Sequence, residues 1–307
     1  MRYFLAPGCA LKWLEAPSVY NISTDELYEL NDTAFAFIKE CTGSEGCLDG
    51  EQHPDIISYA VREGILIAQG IVGRRPPVRK APLPSLRYLE LQITTRCNLR
   101  CRHCYLGAPR DLELPVEAMI PLLREFEEMQ GLRLLITGGE PLLYRKFPVL
   151  NTLLQEYAFR KILFTNGTLL SREIIDSLNV DEIQVSLDGL EAGHDALRGE
   201  GTYRQALCAI EMALDSGIAA SVSTMVHTAN LQEFEGMEKL LHDLGIRDWT
   251  VDVPCIEGSL RENPFFCLDP DIAGRYLRYG FGGGLHGGGE GYACGLHLAS
   301  FMADGTV

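Results

Sequence analysis

From residue 87 onward the chain alternates strand-like and helix-like stretches with a regular beat, and no other feature narrows its fold as far. Short apolar runs predict strands at 88–94, 132–137, 161–165, 182–187, 219–226 and 249–253. Between them, 3.6-residue periodicity predicts helices at 116–129, 149–157, 172–178, 203–216 and 231–244. Repeated strand–helix units bring their strands together in parallel through right-handed crossovers, so the fold class is α/β. In a parallel sheet that curls toward a barrel, chemistry collects where strands end and loops begin. The motifs of this chain fall at those positions.

The loop after the first strand carries Cys97, Cys101 and Cys104, spaced C-x3-C-x2-C. Three thiolates so spaced can hold three irons of a [4Fe–4S] cluster and leave the fourth without a protein ligand. A zinc site is the alternative, but it asks for a fourth Cys or His at knuckle spacing, and only His103 and the distant His194 offer themselves. The stretch Thr95-Arg96-Cys97-Asn98-Leu99-Arg100-Cys101-Arg102-His103-Cys104-Tyr105 resembles the signature of radical S-adenosylmethionine enzymes. That resemblance implies a partial (β/α)6 barrel over residues 87–257. It also implies a cluster whose open iron chelates S-adenosylmethionine, and reductive cleavage to a 5′-deoxyadenosyl radical that takes hydrogen from a substrate. Sensitivity to oxygen and a small redox protein as electron donor go with that chemistry.

The same resemblance distributes further roles over the strand ends. After strand two, Gly138-Gly139-Glu140 looks like the family's Gly-Gly-Glu motif, with glycines allowing close backbone approach and Glu140 accepting from the ligand ammonium. Asn166 follows strand three and walls the ligand. Ser186 and Asp188 follow strand four and offer a hydroxyl and a carboxylate to a ribose. Arg198 matches the arginine that pairs with the ligand carboxylate, a task suited to a planar guanidinium; the competing expectation is a surface ion pair with Asp195. Backbone near Thr224 reads the adenine edge, and Tyr105 lies against the ring or fills the core. No residue beyond the cluster and S-adenosylmethionine ligands is assigned a catalytic role.

Residues 1–73 follow a different pattern. Strands are expected at 19–22, 26–30 and 65–67, a helix capped by Asn31-Asp32-Thr33 at 34–39, and another at 55–63. This small winged-helix-like unit resembles the precursor-recognition domain of ribosomally made, modified peptides, of the type found in pyrroloquinoline quinone biosynthesis; a structural cap on the barrel is the plainer expectation. Residues 74–86 hold Pro76, Pro77, Pro82 and Pro84, which predicts a semi-rigid linker, its basic run solvated.

A formal charge of −15 argues against a nucleic-acid partner. No window offers the roughly 18 apolar residues of a membrane span. The N-terminus begins like a secretory signal but breaks at Pro7-Gly8 and meets Lys12, so a cytoplasmic location with reduced cysteines is expected.

Residues 258–307 are expected to bridge to a further segment. The glycine-rich stretch 280–291 reads as loop, and Cys294, followed by Asp304-Gly305, resembles the opening of the SPASM extension, which binds auxiliary iron–sulfur clusters. His297 stands where glycine is usual, and a second cysteine is missing, as in a truncated chain. Cys294 is thus a candidate auxiliary-cluster ligand without its partners. Cys255 and Cys267 read as ordinary cysteines before auxiliary ligands or hydrogen donors. The combined expectation is a radical enzyme modifying a peptide held by residues 1–73. Maturation of a haem-like cofactor or of an enzyme side chain, and a non-catalytic peptide-binding iron–sulfur protein, are the alternatives.

Overall fold

The computed structural model describes residues 1–48, 53–69, 75–108, 110–282, 286 and 295–307. The N-terminal unit comprises β1 (Arg2–Leu5), β2 (Cys9–Trp13), β3 (Pro17–Asn21), β4 (Glu26–Glu29), α1 (Asp32–Glu40), β5 (Cys47–Leu48), α2 (Pro54–Arg62) and β6 (Leu66–Ile67). Strands β2, β3 and β4 form an antiparallel meander, while β1 pairs with both β5 and β6. Asn31 caps α1 by accepting from the Ala34 N–H at 2.8 Å. The apolar sides of β1, α1, α2 and β6 close over a core that includes Phe35, Ile38, Ile57 and Leu66.

Two expectations for this unit are corrected. Cys41 and Cys47 form a disulfide, their Cα atoms 4.8 Å apart, so not every cysteine is reduced. The turn at Gly46, with φ +60°, brings the two sulfurs together after α1. Arg75, expected in a solvated linker, donates instead to the carbonyls of Cys9 and Leu5 at 2.6 Å and of Ala6 at 3.1 Å.

The larger unit is a parallel half-barrel: β7 (Tyr88–Gln92), α3 (Val116–Glu128), β8 (Arg133–Thr137), α4 (Phe147–Leu153), β9 (Arg160–Thr165), α5 (Arg172–Ser177), β10 (Glu182–Ser186), α6 (Glu191–Arg198), α7 (Thr202–Ser216), β11 (Ala219–Met225), α8 (Phe234–Asp243), β12 (Trp249–Asp252), α9 (Pro270–Gly274) and β13 (Leu298–Phe301). The sheet runs β12-β11-β10-β9-β8-β7-β13. Six expected strands lie where the periodicity put them. The seventh, β13, pairs in parallel with β7 and shields an edge that would otherwise expose unpaired backbone groups. It lies in the segment expected to open a SPASM-like extension, where Cys294 and most of 283–294 fall outside the described residues.

Alternate side chains sort to opposite faces of the sheet. Leu89, Leu91, Leu134, Ile136, Leu163, Val185 and Val222 pack beneath the helices in two adjoining cores. The other face turns into the lumen. Its lowest row, Tyr88, Arg133, Arg160, Glu182 and Ser221, is buried.

The N-terminal meander closes that base. Asp25, in the left-handed region at φ +65°, pairs with Arg133 and accepts from Tyr20, while Arg160 lies 3.9 Å away and binds Glu182 at 2.8 Å. Lys12 is wholly enclosed and donates to Gly131 O at 2.8 Å and Ala158 O at 3.1 Å. Glu15 pairs with Arg87. Removing one partner from a buried ion pair strands the other, so Asp25→Ala should cost about 3–5 kcal/mol. Urea unfolding followed separately in the two units should show both transitions shifting together.

Candidate functional site

The site is built at the upper ends of β7 to β11. The cysteine loop leaves β7 and is clasped against the loop after β8: Gly139 N–H donates to Thr94 O and Glu140 N–H to Arg96 O, both at 2.8 Å. A Cβ on Gly138 would lie 2.7 Å from Thr94 O, and one on Gly139 2.5 Å from Arg96 O. These glycines are therefore needed for contact between two stretches of backbone. The close approach that the structure itself shows at these glycines is between backbone and backbone.

Glu140 is wholly buried. It accepts from the Thr165 hydroxyl at 2.9 and 3.0 Å, from Asn166 N–H at 2.9 Å and from Leu142 N–H at 3.2 Å. Burial pushes its carboxyl up to about 7 against those hydrogen bonds. Asn166, bound in turn to Asn98, brings its amide within 3.9 Å of Cys97 Sγ, which also lies 3.4 Å from the Leu99 nitrogen.

The second half of the site centres on Asp188 and Arg198. Arg198 pairs with Asp188 rather than with Asp195, and Asp188 also accepts from Met225 N–H at 2.7 Å. Burial alone would raise the Asp188 carboxyl, yet the guanidinium holds it far below the usual range. Asp188 is fully enclosed, so its carboxylate orients Arg198 and is closed to a ribose. Asp195 caps the start of α7 by accepting from Tyr203 N–H at 2.8 Å and Gly201 N–H at 2.7 Å. Arg198 Nη1 reaches to 4.0 Å from Cys101 Sγ.

Thr224 is also enclosed: its hydroxyl donates to Leu187 O at 2.6 Å and accepts from Trp249 Nε1 at 2.8 Å. Its placement is structural, and the backbone there is spent within the sheet. Ser186 is half-buried on the lumen face. Tyr105 is 51% exposed, with its hydroxyl bound by Gln92 Nε2 at 3.1 Å. The alternative of a core tyrosine is set aside.

The residues sequence reasoning missed are the supports behind Asp188. His194 Nδ1 accepts from Asp188 N–H at 3.0 Å, His227 Nε2 lies 3.1 Å from Asp188 O, and Asn230 Nδ2 donates to the same carbonyl at 2.8 Å. Burial, with the Arg198 charge adding to it, lowers both His103 and His194 to about 4. Nothing in the spacing of 226–230 signals this role; only the fold brings that loop beneath Asp188.

The donor set fits an iron–sulfur cluster. Cys97 and Cys101 each lie within electrostatic reach of Arg198 and Cys104. Burial raises the Cys97 thiol and brings Cys101 to about 11, so ligation must displace protons. The nitrogen donors beside Cys97 and Cys101 are of the kind that tune cluster sulfurs. Among the described residues no three Cys, His, Asp or Glu side chains, the cysteine triad included, already stand as close together as a bound metal ion requires.

The half-barrel has relatives among known proteins. Residues 91–241 match the Radical SAM superfamily. The chain contains a radical SAM domain. Enzymes of this superfamily use a [4Fe–4S] cluster and S-adenosylmethionine. An AdoMet-dependent heme synthase of Oleidesulfovibrio alaskensis is 30% identical over 176 residues, covering 55% of this chain and 45% of that protein. The antilisterial bacteriocin subtilosin biosynthesis protein AlbA of Bacillus subtilis is 30% identical over 177 residues, covering 54% of this chain and 38% of that one. The matches thus span less than half the length of these relatives. Streptococcus suis SuiB, solved bound to its precursor peptide SuiA, shares the fold with a TM-score of 0.62 at 14% identity, over 98% of this chain and 72% of that one. Among the described residues no helix is long and apolar enough to cross a membrane.

Folding raises the Glu140 pKa from 4.5 to about 7, so across that window the folded radical SAM domain binds more protons than the unfolded one. The contribution of Glu140 to stability is full below pH 4.5 and is lost as pH rises through 7. The stability of the cluster-free protein relative to Glu140→Gln should therefore fall across this window and level off above it, as measured by denaturant titrations at stepped pH.

Proposed function

We propose that the chain is a radical SAM enzyme acting on a peptide. The observation that supports the radical chemistry is that the cysteine loop is flanked by Asn166, bound to Glu140, beside Cys97 and by Arg198 beside Cys101, at one end of the half-barrel. The three thiolates hold the cluster, Arg198 faces the ligand carboxylate, and Asn166 and Tyr105 wall the ligand. With both groups bound, their chemistry is reductive cleavage of S-adenosylmethionine to a radical that abstracts hydrogen from an unactivated carbon. The protein supplies orientation: Asp188 fixes Arg198, and Glu140 joins the loops after β8 and β9. Ser186 remains available to a ribose hydroxyl, and a small redox protein delivers the electron.

Support for a peptide substrate comes from the fold likeness to SuiB, which extends through the N-terminal unit, and from the sequence likeness to AlbA. In this reading the meander and α1–α2 form a precursor-recognition domain and residues 295–307 begin a SPASM-like extension. The heme synthase relatives favour a second reading, maturation of a tetrapyrrole. Deleting residues 1–73 does not separate the two, because that unit closes the base of the lumen and its loss uncovers Arg133, Arg160 and Glu182.

The test is anaerobic. Reconstituted protein given dithionite and S-adenosylmethionine should form 5′-deoxyadenosine, and the Cys97→Ala, Cys101→Ala, Cys104→Ala variant should form none. A loaded parent that yields no nucleoside with or without candidate peptides or tetrapyrroles sinks the enzymatic reading and leaves a binding protein.

A further inference from the structure

The lumen is a chamber with one closed end. On its helix-covered side the strand residues are buried, whereas Glu90, Leu135, Phe164, Gln184 and Ser223, in the middle of the same strands, stay partly exposed. Solvent therefore reaches the interior of the half-barrel. The base cannot be the way in, since its row of charged side chains lies buried beneath the N-terminal meander.

The upper part of the chamber adjoins the cysteine triad. Gln92, one step above Glu90 on the same face of β7, binds the Tyr105 hydroxyl, and Tyr105 follows Cys104 directly.

Glu90 is the charged group in the middle of this chamber. Thr137 Oγ1 donates to its Oε1 at 3.2 Å and Ser300 Oγ to its Oε2 at 2.7 Å. A carboxylate offers about four acceptor positions, so neutral hydroxyls fix its orientation and leave acceptor capacity for a ligand. Among the described residues no cation pairs with it. Above the base row, the inward positions of β7 to β12 include a second carboxylate, Asp252, and no lysine or arginine.

We propose that this chamber binds a positively charged group of the substrate, a lysine, arginine or amino terminus of a peptide, and that Glu90 selects it. The proposal rests on the peptide reading above and sharpens it. A half-buried carboxylate with spare acceptor positions gains a charge-assisted hydrogen bond from an ammonium or guanidinium. The same carboxylate repels a polycarboxylate, such as a tetrapyrrole bearing propionates, in a region where charges are weakly screened.

The test uses a random octapeptide library and, separately, a tetracarboxylate porphyrin, each equilibrated with the immobilised cluster-loaded protein and quantified by mass spectrometry. Glu90→Gln keeps the shape and an acceptor for the two hydroxyls, Glu90→Lys reverses the charge, and Glu235→Gln on the outer helix α8 is the control. The wild type and the control should enrich lysine- and arginine-bearing peptides over acidic ones by about tenfold, the scale of one charge-assisted hydrogen bond. Glu90→Gln should abolish that preference and Glu90→Lys invert it, with cluster absorbance unchanged. Equal enrichment in wild type and Glu90→Gln overturns the selective role while leaving a peptide substrate standing. Retention of the porphyrin with no peptide retained overturns both.

Discussion

Two fully enclosed carboxylates organise everything above the sheet. Burying a charge without partners is prohibitively costly, so each must be met by donors from several loops, and meeting it fixes those loops in place. Glu140 gathers the start of its own turn, the end of β9 and the following Asn166, whose amide then reaches Cys97. Asp188 gathers Arg198 from α6 and Met225 from β11, while its own backbone is held by His194, His227 and Asn230. Arg198 then reaches Cys101. The cysteine loop is therefore held from both flanks by side chains that are themselves held.

The two carboxylates resolve the same cost in opposite ways. Asp188 has a guanidinium against it and stays ionised. Glu140 has hydrogen-bond donors around it and only the more distant Arg198 charge, so burial prevails and its proton is held near neutrality. This contrast explains why Glu140 serves as a neutral or ionised hinge between loops, whereas Asp188 acts as a permanent counter-charge that stiffens Arg198.

The parallel strands were legible because a strand buried on its helix face repeats apolar residues with little ambiguity, and Leu89, Leu134, Leu163 and Val185 do so. The cysteine triad stands out in the sequence because its three thiols are local, spaced C-x3-C-x2-C. What escaped depends on distant pairs. Nothing beside Asp188 in sequence shows that it turns inward to Arg198. Nothing in the basic run shows that Arg75 lies against three carbonyls at the turn from β1 to β2. The strand β13 was missed because its register is set by its partner: the amides of Arg87 and Tyr88 both donate to His297 O at 2.9 Å. The disulfide was missed because cysteine spacing alone does not reveal the turn at Gly46.

The polarity of the half-barrel follows from where its charges are spent. At the base, Arg133 and Arg160 face Asp25 and Glu182, and the meander covers them, so that end contributes cohesion between the two units rather than recognition. At the top, Arg198 is committed to Asp188 yet still borders the triad. Between these layers the lumen retains Glu90, held by two hydroxyls and by no cation among the described residues. A chamber whose cations are used at its two ends and whose middle is anionic is better matched to an incoming amine than to an incoming carboxylate. That asymmetry supports the proposed peptide reading over the tetrapyrrole one, where likeness to relatives of both kinds leaves them level.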